Sequence, residues 1–249
     1  MKAMILAAGL GTRLRPLTDD RPKALVEVGG RTLLEITLAR LRESGVTEVI
    51  VNVHHHAEMV VDYLRANDNF GMRIEVSRED DLLLDTGGGL KKAAWFLLEH
   101  SGSRDEPFIM HNVDVLTNID LKRMVGHHAR KGALATLAVQ NRESSRQLLL
   151  DEDLALCGRR IQGRPDEIAR KSSNLAPLAF SGIHVISSRL LKMICEEGVF
   201  SIIDVYLRLA GKGEFILGFP VDEYHWRDVG RLSDLKQANE DAAESKLQL

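Results

Sequence analysis

Leu6-Ala7-Ala8-Gly9-Leu10-Gly11-Thr12-Arg13-Leu14-Arg15-Pro16, continued by Arg21-Pro22-Lys23, is the stretch on which the reading of this chain turns. It closes an apolar run, Ala3 to Ala7, that reads as a buried strand ending in glycine. Glycines placed directly after a strand let the backbone turn tightly and aim its N–H groups at a phosphate. Thr12 can add a hydroxyl, and Arg13 and Lys23 supply fixed positive charge. Two other phosphate loops fail on these residues. A P-loop needs lysine and then serine or threonine directly after its last glycine, an order absent here. The dinucleotide fingerprint begins well at Gly9 and Gly11, but Leu14 stands where its third glycine belongs.

Outward from this loop, short apolar runs alternate with amphipathic ones. Strands are expected at Glu48–Val53, Arg73–Val76, Phe108–Met110 and Ala133–Val139, and helices at Leu33–Ser44, Ala57–Leu64, Leu90–Leu98 and Leu121–Lys131. The alternation predicts an α/β fold: a Rossmann-like, mixed, mostly parallel sheet with helices on both faces. Ligands of such sheets bind beyond the carboxyl ends of the strands, here Ala7-Ala8-Gly9, Asn52-Val53-His54 and Asn112-Val113-Asp114. The second part is less regular. Arg146–Leu150 and Ala155–Arg159 flank Asp151-Glu152-Asp153 and predict a small hairpin insertion. Gln162–Asn174 reads as a polar loop. Strands at Phe180–Ile186 and Phe215–Phe219 and helices at Ser188–Glu196, Ile202–Ala210 and Asp234–Ser245 complete the chain. No hexapeptide β-helix repeat follows, so a single activity is expected.

Composition narrows the function classes. The chain has 249 residues and a net charge of −3, so neither a nucleic-acid face nor a polybasic membrane patch is expected. The two cysteines, Cys157 and Cys195, form no CxxC pair, which removes zinc ribbons and thioredoxin-type motifs and fits a reducing compartment. They have no activating neighbours in sequence and are read as structural. The apolar run after Met1 is too short for a signal peptide, and no stretch is long enough to span a bilayer. A cytoplasmic protein is expected. His54-His55-His56 suggests a metal, but consecutive strand residues point to opposite faces and converge poorly, so it is read as a strand end before a helix.

The opening stretch resembles that of the sugar-1-phosphate nucleotidyltransferases, and the resemblance continues through most of the chain, weakest between about Arg142 and Pro177. It implies that Leu6, Ala7, Ala8, Gly9, Gly11, Thr12 and Arg13 wrap the nucleotide, and that Arg13 and Lys23 neutralise phosphates during reaction. Asp85-Thr86-Gly87-Gly88-Gly89 resembles the family segment that contacts base and sugar, most closely the E-T-G-G-G form of N-acetylmuramate-1-phosphate uridylyltransferases. It assigns Thr86 and Gly87 to the nucleotide. By residue chemistry alone the same stretch is a glycine loop before a helix whose N-terminus favours anions, with Thr86 as its cap. Asp114 closes an apolar strand, a suitable place for a ligand of hard Mg²⁺. Asn112 and Asp114 match the family's N-G-D, with Val113 in place of the glycine. Trp226-Arg227-Asp228-Val229-Gly230 resembles the W-x-D-V-G segment that carries the second carboxylate on Mg²⁺. Alone, a loop aspartate is ordinarily just solvated. Phe180-Ser181-Gly182-Ile183 resembles the strand lining the sugar pocket, which assigns Ser181 and Gly182, with Lys23 and Asn112, to the sugar phosphate. By itself Ser181-Gly182 reads as a kink or bulge.

The implied architecture is one domain over 1–249, with a nucleotide-binding half, 1–140, and a sugar-phosphate-binding half, 141–249. The implied reaction joins a sugar 1-phosphate to a nucleoside triphosphate and releases pyrophosphate, with Mg²⁺ on Asp114 and Asp228. Arg13, Lys23 and Asp114 are the implied catalytic residues. By motif the substrate pair is N-acetylmuramate 1-phosphate with UTP, or mannose 1-phosphate (or a heptose phosphate) with GTP. A monomer or homodimer with no nucleic-acid or membrane partner is expected. Two rivals stay open. A dinucleotide-dependent oxidoreductase would need the missing third glycine, and a non-catalytic nucleotide-binding module would bind a triphosphate without releasing pyrophosphate.

Overall fold

The structure is a computed structural model and describes residues 1–99 and 105–244. Along the first half run β1 (Lys2–Leu6), the short β2 (Glu27–Val28) and β3 (Arg31–Thr32), α1 (Leu33–Glu43), β4 (Glu48–Val53), α2 (Ala57–Ala66), β5 (Arg73–Arg78) and α3 (Asp85–Leu98). Then come β6 (Pro107–Asn112), β7 (Val115–Thr117), α4 (Leu121–Lys131), β8 (Ala135–Gln140), β9 (Arg146–Leu150), β10 (Leu156–Ile161) and β11 (Glu167–Ile168). The chain continues through β12 (Ala176–Ser187), α5 (Ile202–Gly211), β13 (Ile216–Pro220), β14 (Trp226–Asp228) and α6 (Leu232–Ala243).

The centre is the parallel set β5-β4-β1-β6, as the alternation predicts. β12 joins antiparallel to β6 and carries β8 and the β9-β10-β11 hairpin layer on its far side. One mixed sheet therefore runs through both halves of the chain. Its central strands must be apolar on both faces, because helices cover both. In β1, Ala3 and Ile5 enter one core and Met4 the other; in β4, Val49, Val51 and Val53 oppose Ile50. The first core is roofed by α1, α2 and α4 through Leu34, Leu38, Val60, Leu121 and Met124, and the second by α3 and α5 through Leu90, Phe96, Val205 and Tyr206. Capping is local: the Thr32 hydroxyl accepts from Glu35 N at 3.1 Å, and Asp120 accepts from Arg123 N at 2.9 Å. Among the described residues no helix is long and apolar enough to cross a membrane.

Several elements differ from expectation. α3 begins at Asp85, so the glycine cluster lies inside its first turns and not before them. Ser188–Glu196, expected as a helix, is a 3-10 segment ending at Met193. Asp105 fixes its start by accepting from Arg189 N, and Arg208 of α5 draws Glu196 away. The strand expected at Phe180–Ile186 extends to twelve residues because its first part serves β9 and its second part β6. The closing helix ends at Ala243, and Ser245 lies outside the described residues. Cys157 is buried as expected of a structural residue, whereas Cys195 is exposed.

Ile5 is fully buried between Val51 and His111 of the neighbouring strands. Ile5→Ala is expected to lower stability by about 2–5 kcal/mol, read as a lower midpoint in equilibrium chemical denaturation with unchanged slope.

Candidate active site

The glycine loop leaves β1 with Leu6 O accepting from Val113 N at 3.1 Å, which ties it to the end of β6. Gly11 has φ +64°, and a Cβ there would lie 3.0 Å from the Thr18 methyl and 3.3 Å from Lys23 Cβ. Glycine is thus what lets the loop turn directly over Lys23. Gly9 has no heavy atom within 4 Å of its Cβ position and is exposed, so the backbone there is open to a ligand. Leu14, where a dinucleotide loop would need glycine, is fully buried in the core.

A buried polar chain sets the height of this loop. Ala7 N donates to Asn52 Oδ1 at 2.8 Å, Asn52 Nδ2 donates to Glu79 Oε1 at 2.7 Å, and Leu84 N donates to Glu79 Oε2 at 2.9 Å. Glu79 is 1% exposed and both its oxygens are engaged, as buried carboxylates require. His54 also bonds the Glu79 carbonyl at 2.5 Å, while His56 turns the chain into α2 with a left-handed φ of 54°. Asn52 stands at a strand end expected to face a ligand, but neither it nor Glu79 was assigned a role in the site. Their sequence signal is weak: a polar residue inside the apolar run of β4 and one acid in an acidic stretch.

The α3 glycines serve packing. A Cβ at Gly87 would lie 2.4 Å from the Phe200 ring, one at Gly88 2.5 Å from Gly198 O, and one at Gly89 2.8 Å from Glu79 Oε1. Gly87 N and Gly88 N both donate to Phe200 O, at 2.9 and 3.3 Å, so these helix-start donors are not free for an anion. Thr86 does not cap α3. Its hydroxyl accepts from Ile202 N at 3.0 Å, at the start of α5, and Leu84 precedes the helix.

The carboxylates meet because two three-residue strands pair. In β7 and β14, Asp228 lies opposite Val115, and Val229 N donates to Asp114 O at 2.8 Å. The Asp114 carboxylate forms an ion pair with buried Lys23. Asp228 Oδ1 is buried and has no hydrogen-bond partner among the described residues. Burial and then the nearby negative Asp114 push the Asp228 carboxyl above the ordinary carboxylate range, against the opposing pull of Lys23 and Arg13. Arg13 Nη2 and Asp228 Oδ1 both border Gly230, at 3.1 and 3.3 Å from its Cβ position. Arg13, Lys23, Asp114 and Asp228 therefore share one corner. An orphaned carboxylate oxygen beside a second carboxylate suits a hard divalent cation that also takes phosphate and water oxygens. Val113, in place of a glycine, turns its side chain into the core and is 3% exposed.

Asn112 borders two cavities. One, of about 380 Å³, is lined by Leu6, Ala8, Gly9, Asn52, Glu79 and Asp114. The other, of about 450 Å³, opens toward the hairpin and Phe180; Asp85, Thr86 and Asn112 line both. Gly182 has φ +79°, and its Cβ position is 3.0 Å from Asn112 Nδ2, so it lets that amide lie against β12. Ser181, expected at the sugar phosphate, lies beside Gly182 on β12. It is fully buried, donates to Gln140 Oε1 at 3.2 Å, and lines neither cavity. Arg142, also not anticipated, stacks on Trp226 at 4.1 Å from the ring centroid and donates to Phe180 O at 2.9 Å. Trp226 Nε1 donates to Ser181 O at 2.8 Å, and Arg227 donates twice to Asp241 of α6, at 2.8 and 2.6 Å, which holds β14 in place.

The family model described as "Nucleotidyl transferase" matches residues 2–245. The N-acetylmuramate alpha-1-phosphate uridylyltransferase of Caulobacter vibrioides is 35% identical over 92% of this chain and 91% of its own length. A mannose-1-phosphate guanyltransferase of Candida albicans is 30% identical over 94% of the chain, which spans 62% of that relative. Among solved structures, HddC from Yersinia pseudotuberculosis complexed with GMP-PN superposes with a TM-score of 0.75 at 22% identity, covering 97% of this chain and 99% of that one.

Because the Asp228 pKa is raised in the folded state, the ionised carboxylate works against folding once pH rises through that value. Asp228→Asn is therefore expected to raise the melting temperature of metal-free protein at neutral pH. The gain should close on acidification, as wild-type Asp228 takes up its proton. Added Mg²⁺ should stabilise wild type and not the variant. Scanning calorimetry against pH, with and without Mg²⁺, reads all three; a variant less stable than wild type at neutral pH would contradict the account of Asp228 as a carboxylate destabilised by burial and by Asp114.

Proposed function

The chain belongs to the nucleotidyl transferase family, as a sugar-1-phosphate nucleotidyltransferase, and from that premise we propose its substrate pair and the roles of its residues. The reaction of such enzymes joins a sugar 1-phosphate to a nucleoside triphosphate to give a nucleoside-diphosphate sugar and pyrophosphate. A sugar-phosphate oxygen bonds to the α-phosphorus, and the bond from that phosphorus to the β-phosphate bridging oxygen breaks. The nucleophile is already ionised near neutral pH, so no general base is needed, and catalysis consists of positioning and charge neutralisation.

In this reading the nucleotide occupies the cavity beneath the glycine loop, against Leu6, Ala8, Gly9, Gly11 and Thr12, with Thr86 at its sugar end. Ala7 acts indirectly, since its N–H holds Asn52. The packing of Gly87 against Phe200 makes it a positioning residue for α3. Arg13 offsets charge on the triphosphate. Lys23, released in part from Asp114 when substrate charge arrives, binds the phosphate of the incoming sugar. Asn112 orients the sugar at the junction of the two cavities, with Gly182 supporting its amide. Asp114 and Asp228 would hold Mg²⁺, which when bound supplies Lewis-acid polarisation of the phosphoryl oxygens. Residues 1–140 hold the nucleotide and supply Lys23 and Asn112 to the sugar phosphate, residues 141–249 complete the site through Gly182 and Asp228, and the enzyme works in the cytoplasm. The observation that carries the reading is the convergence of two cations and two carboxylates at the mouth of the open glycine loop.

For the substrates we favour N-acetylmuramate 1-phosphate with UTP, supported by the relative that matches nearly end to end. Mannose 1-phosphate with GTP is the second reading, supported by a relative of similar identity but greater length.

A pyrophosphate-release screen of four nucleoside triphosphates against a panel of sugar 1-phosphates is expected to give turnover with one pair well above the rest. Asp114→Ala should abolish it in the presence of Mg²⁺, and Arg13→Ala should lower kcat by about 10²- to 10³-fold, the range for removing one group that stabilises transition-state charge. Near wild-type turnover by Asp114→Ala would refute the carboxylate assignment.

A further inference from the structure

The second cavity is unusually basic. Arg146, Arg159, Arg160 and Arg164 of the hairpin region line it, against two acids, Asp85 and Asp204. Half of this positive charge is paired within the protein. Arg159 donates to Asp204 at 2.5 Å and to Glu167 at 2.8 Å. Arg160 donates to both oxygens of Asp166, at 2.9 and 2.8 Å. Asp85 accepts from Thr86 N at 2.6 Å. His184 is buried and its pKa is lowered to about 3, so it is neutral. Among the described residues, the guanidinium groups of Arg146 and Arg164 have neither a hydrogen bond nor an ion pair.

These two residues are brought together by the fold. Arg146 opens β9 opposite Ile161, the last residue of β10. The chain then turns so that Arg164 N donates to Ile161 O at 3.0 Å, while Gln162 N donates to Ser145 O at 2.8 Å. Both side chains therefore border the cavity, which Asn112 and Thr86 also line. Two exposed guanidiniums without ion-pair partners at the edge of a cavity are matched by a carboxylate or phosphate, which takes paired N–H donors. A neutral sugar would leave them without a counter-charge.

We infer that Arg146 and Arg164 determine sugar specificity by binding a second anionic group, carboxylate or phosphate, on the sugar 1-phosphate. This rests on the reading of the site as a sugar-1-phosphate transferase. The activated phosphate lies at Lys23 and the second anion at the hairpin, so the sugar ring spans Asn112. The hairpin then acts as a selector for acidic sugars.

The test compares acid-bearing and neutral members of two pairs: N-acetylmuramate 1-phosphate against N-acetylglucosamine 1-phosphate, and glucose 1,6-bisphosphate against glucose 1-phosphate. Wild type is expected to prefer the acidic member of one pair by about ten- to a hundredfold in kcat/KM, the range for a hydrogen-bonded charge pair. Which pair shows the preference identifies carboxylate or phosphate. In the variant carrying Arg146→Gln and Arg164→Gln the ratio should fall to within a few-fold of one. Both positions are exposed, and a thermal melt checks that the variant is folded. Calorimetric titration of the same four compounds, with a non-hydrolysable triphosphate present, should show the same preference in Kd. Equal Kd within both pairs, or a preference that survives in the variant, overturns the inference. Lack of pyrophosphate with every pair overturns the transferase reading, and the calorimetry still decides the arginines.

Discussion

Two carboxylates held close to each other, Asp114 and Asp228, are the constraint on which the active corner depends. Burial first, and then repulsion from the like-charged Asp114, raise the Asp228 pKa. The protein tolerates this repulsion through the Lys23 ion pair at Asp114, the nearby Arg13 guanidinium, and the backbone bond from Val229 to Asp114. Every element at this corner works against the repulsion or keeps the carboxylates in register. Arg227 with Asp241 pins β14 to α6, and Trp226 locks onto β12. Such a corner is stable only if the fold holds it, and it is most favourable when a cation and phosphates complete the charge balance.

The second support is the buried chain from Ala7 through Asn52 and Glu79 to Leu84. It links β1, β4 and the start of α3 in a place where no water is needed to satisfy the polar groups. Glycine at position 89 is part of it, because a side chain there would collide with Glu79. The glycine loop and the α3 segment are therefore one mechanical unit. The glycines of α3 belong to this unit and to the Phe200 contact, and the helix start is occupied by protein.

Much of the fold was legible in the sequence, because strands buried on both faces must be apolar throughout and helices on a sheet must be amphipathic. β1, β4, β6, α1, α4 and α5 lie within a few residues of where those patterns place them. The short strands were not legible. Three residues such as 115–117 or 226–228 carry too little periodicity to stand out, and their pairing is decided by what lies opposite. The start of α3 was misplaced for a related reason: glycine is a poor helix former, and only close packing against Phe200, Gly198 and Glu79 makes three of them in succession favourable.

By itself, the sequence determined the chemistry available: a glycine loop at Gly9 and Gly11, two cations near it, an aspartate at a strand end, and an α/β frame that puts strand ends on one side. Those follow from local rules of backbone freedom, charge and periodicity. Only the tertiary structure decided which groups share a site. It carried Asp228 from more than a hundred residues away to Asp114 through one short strand pair. It buried Ser181, turned Val113 into the core, and left Arg146 and Arg164 without counter-charges in the cavity beyond Asn112. Contacts of this kind depend on distances between remote segments, and local sequence carries no measure of those.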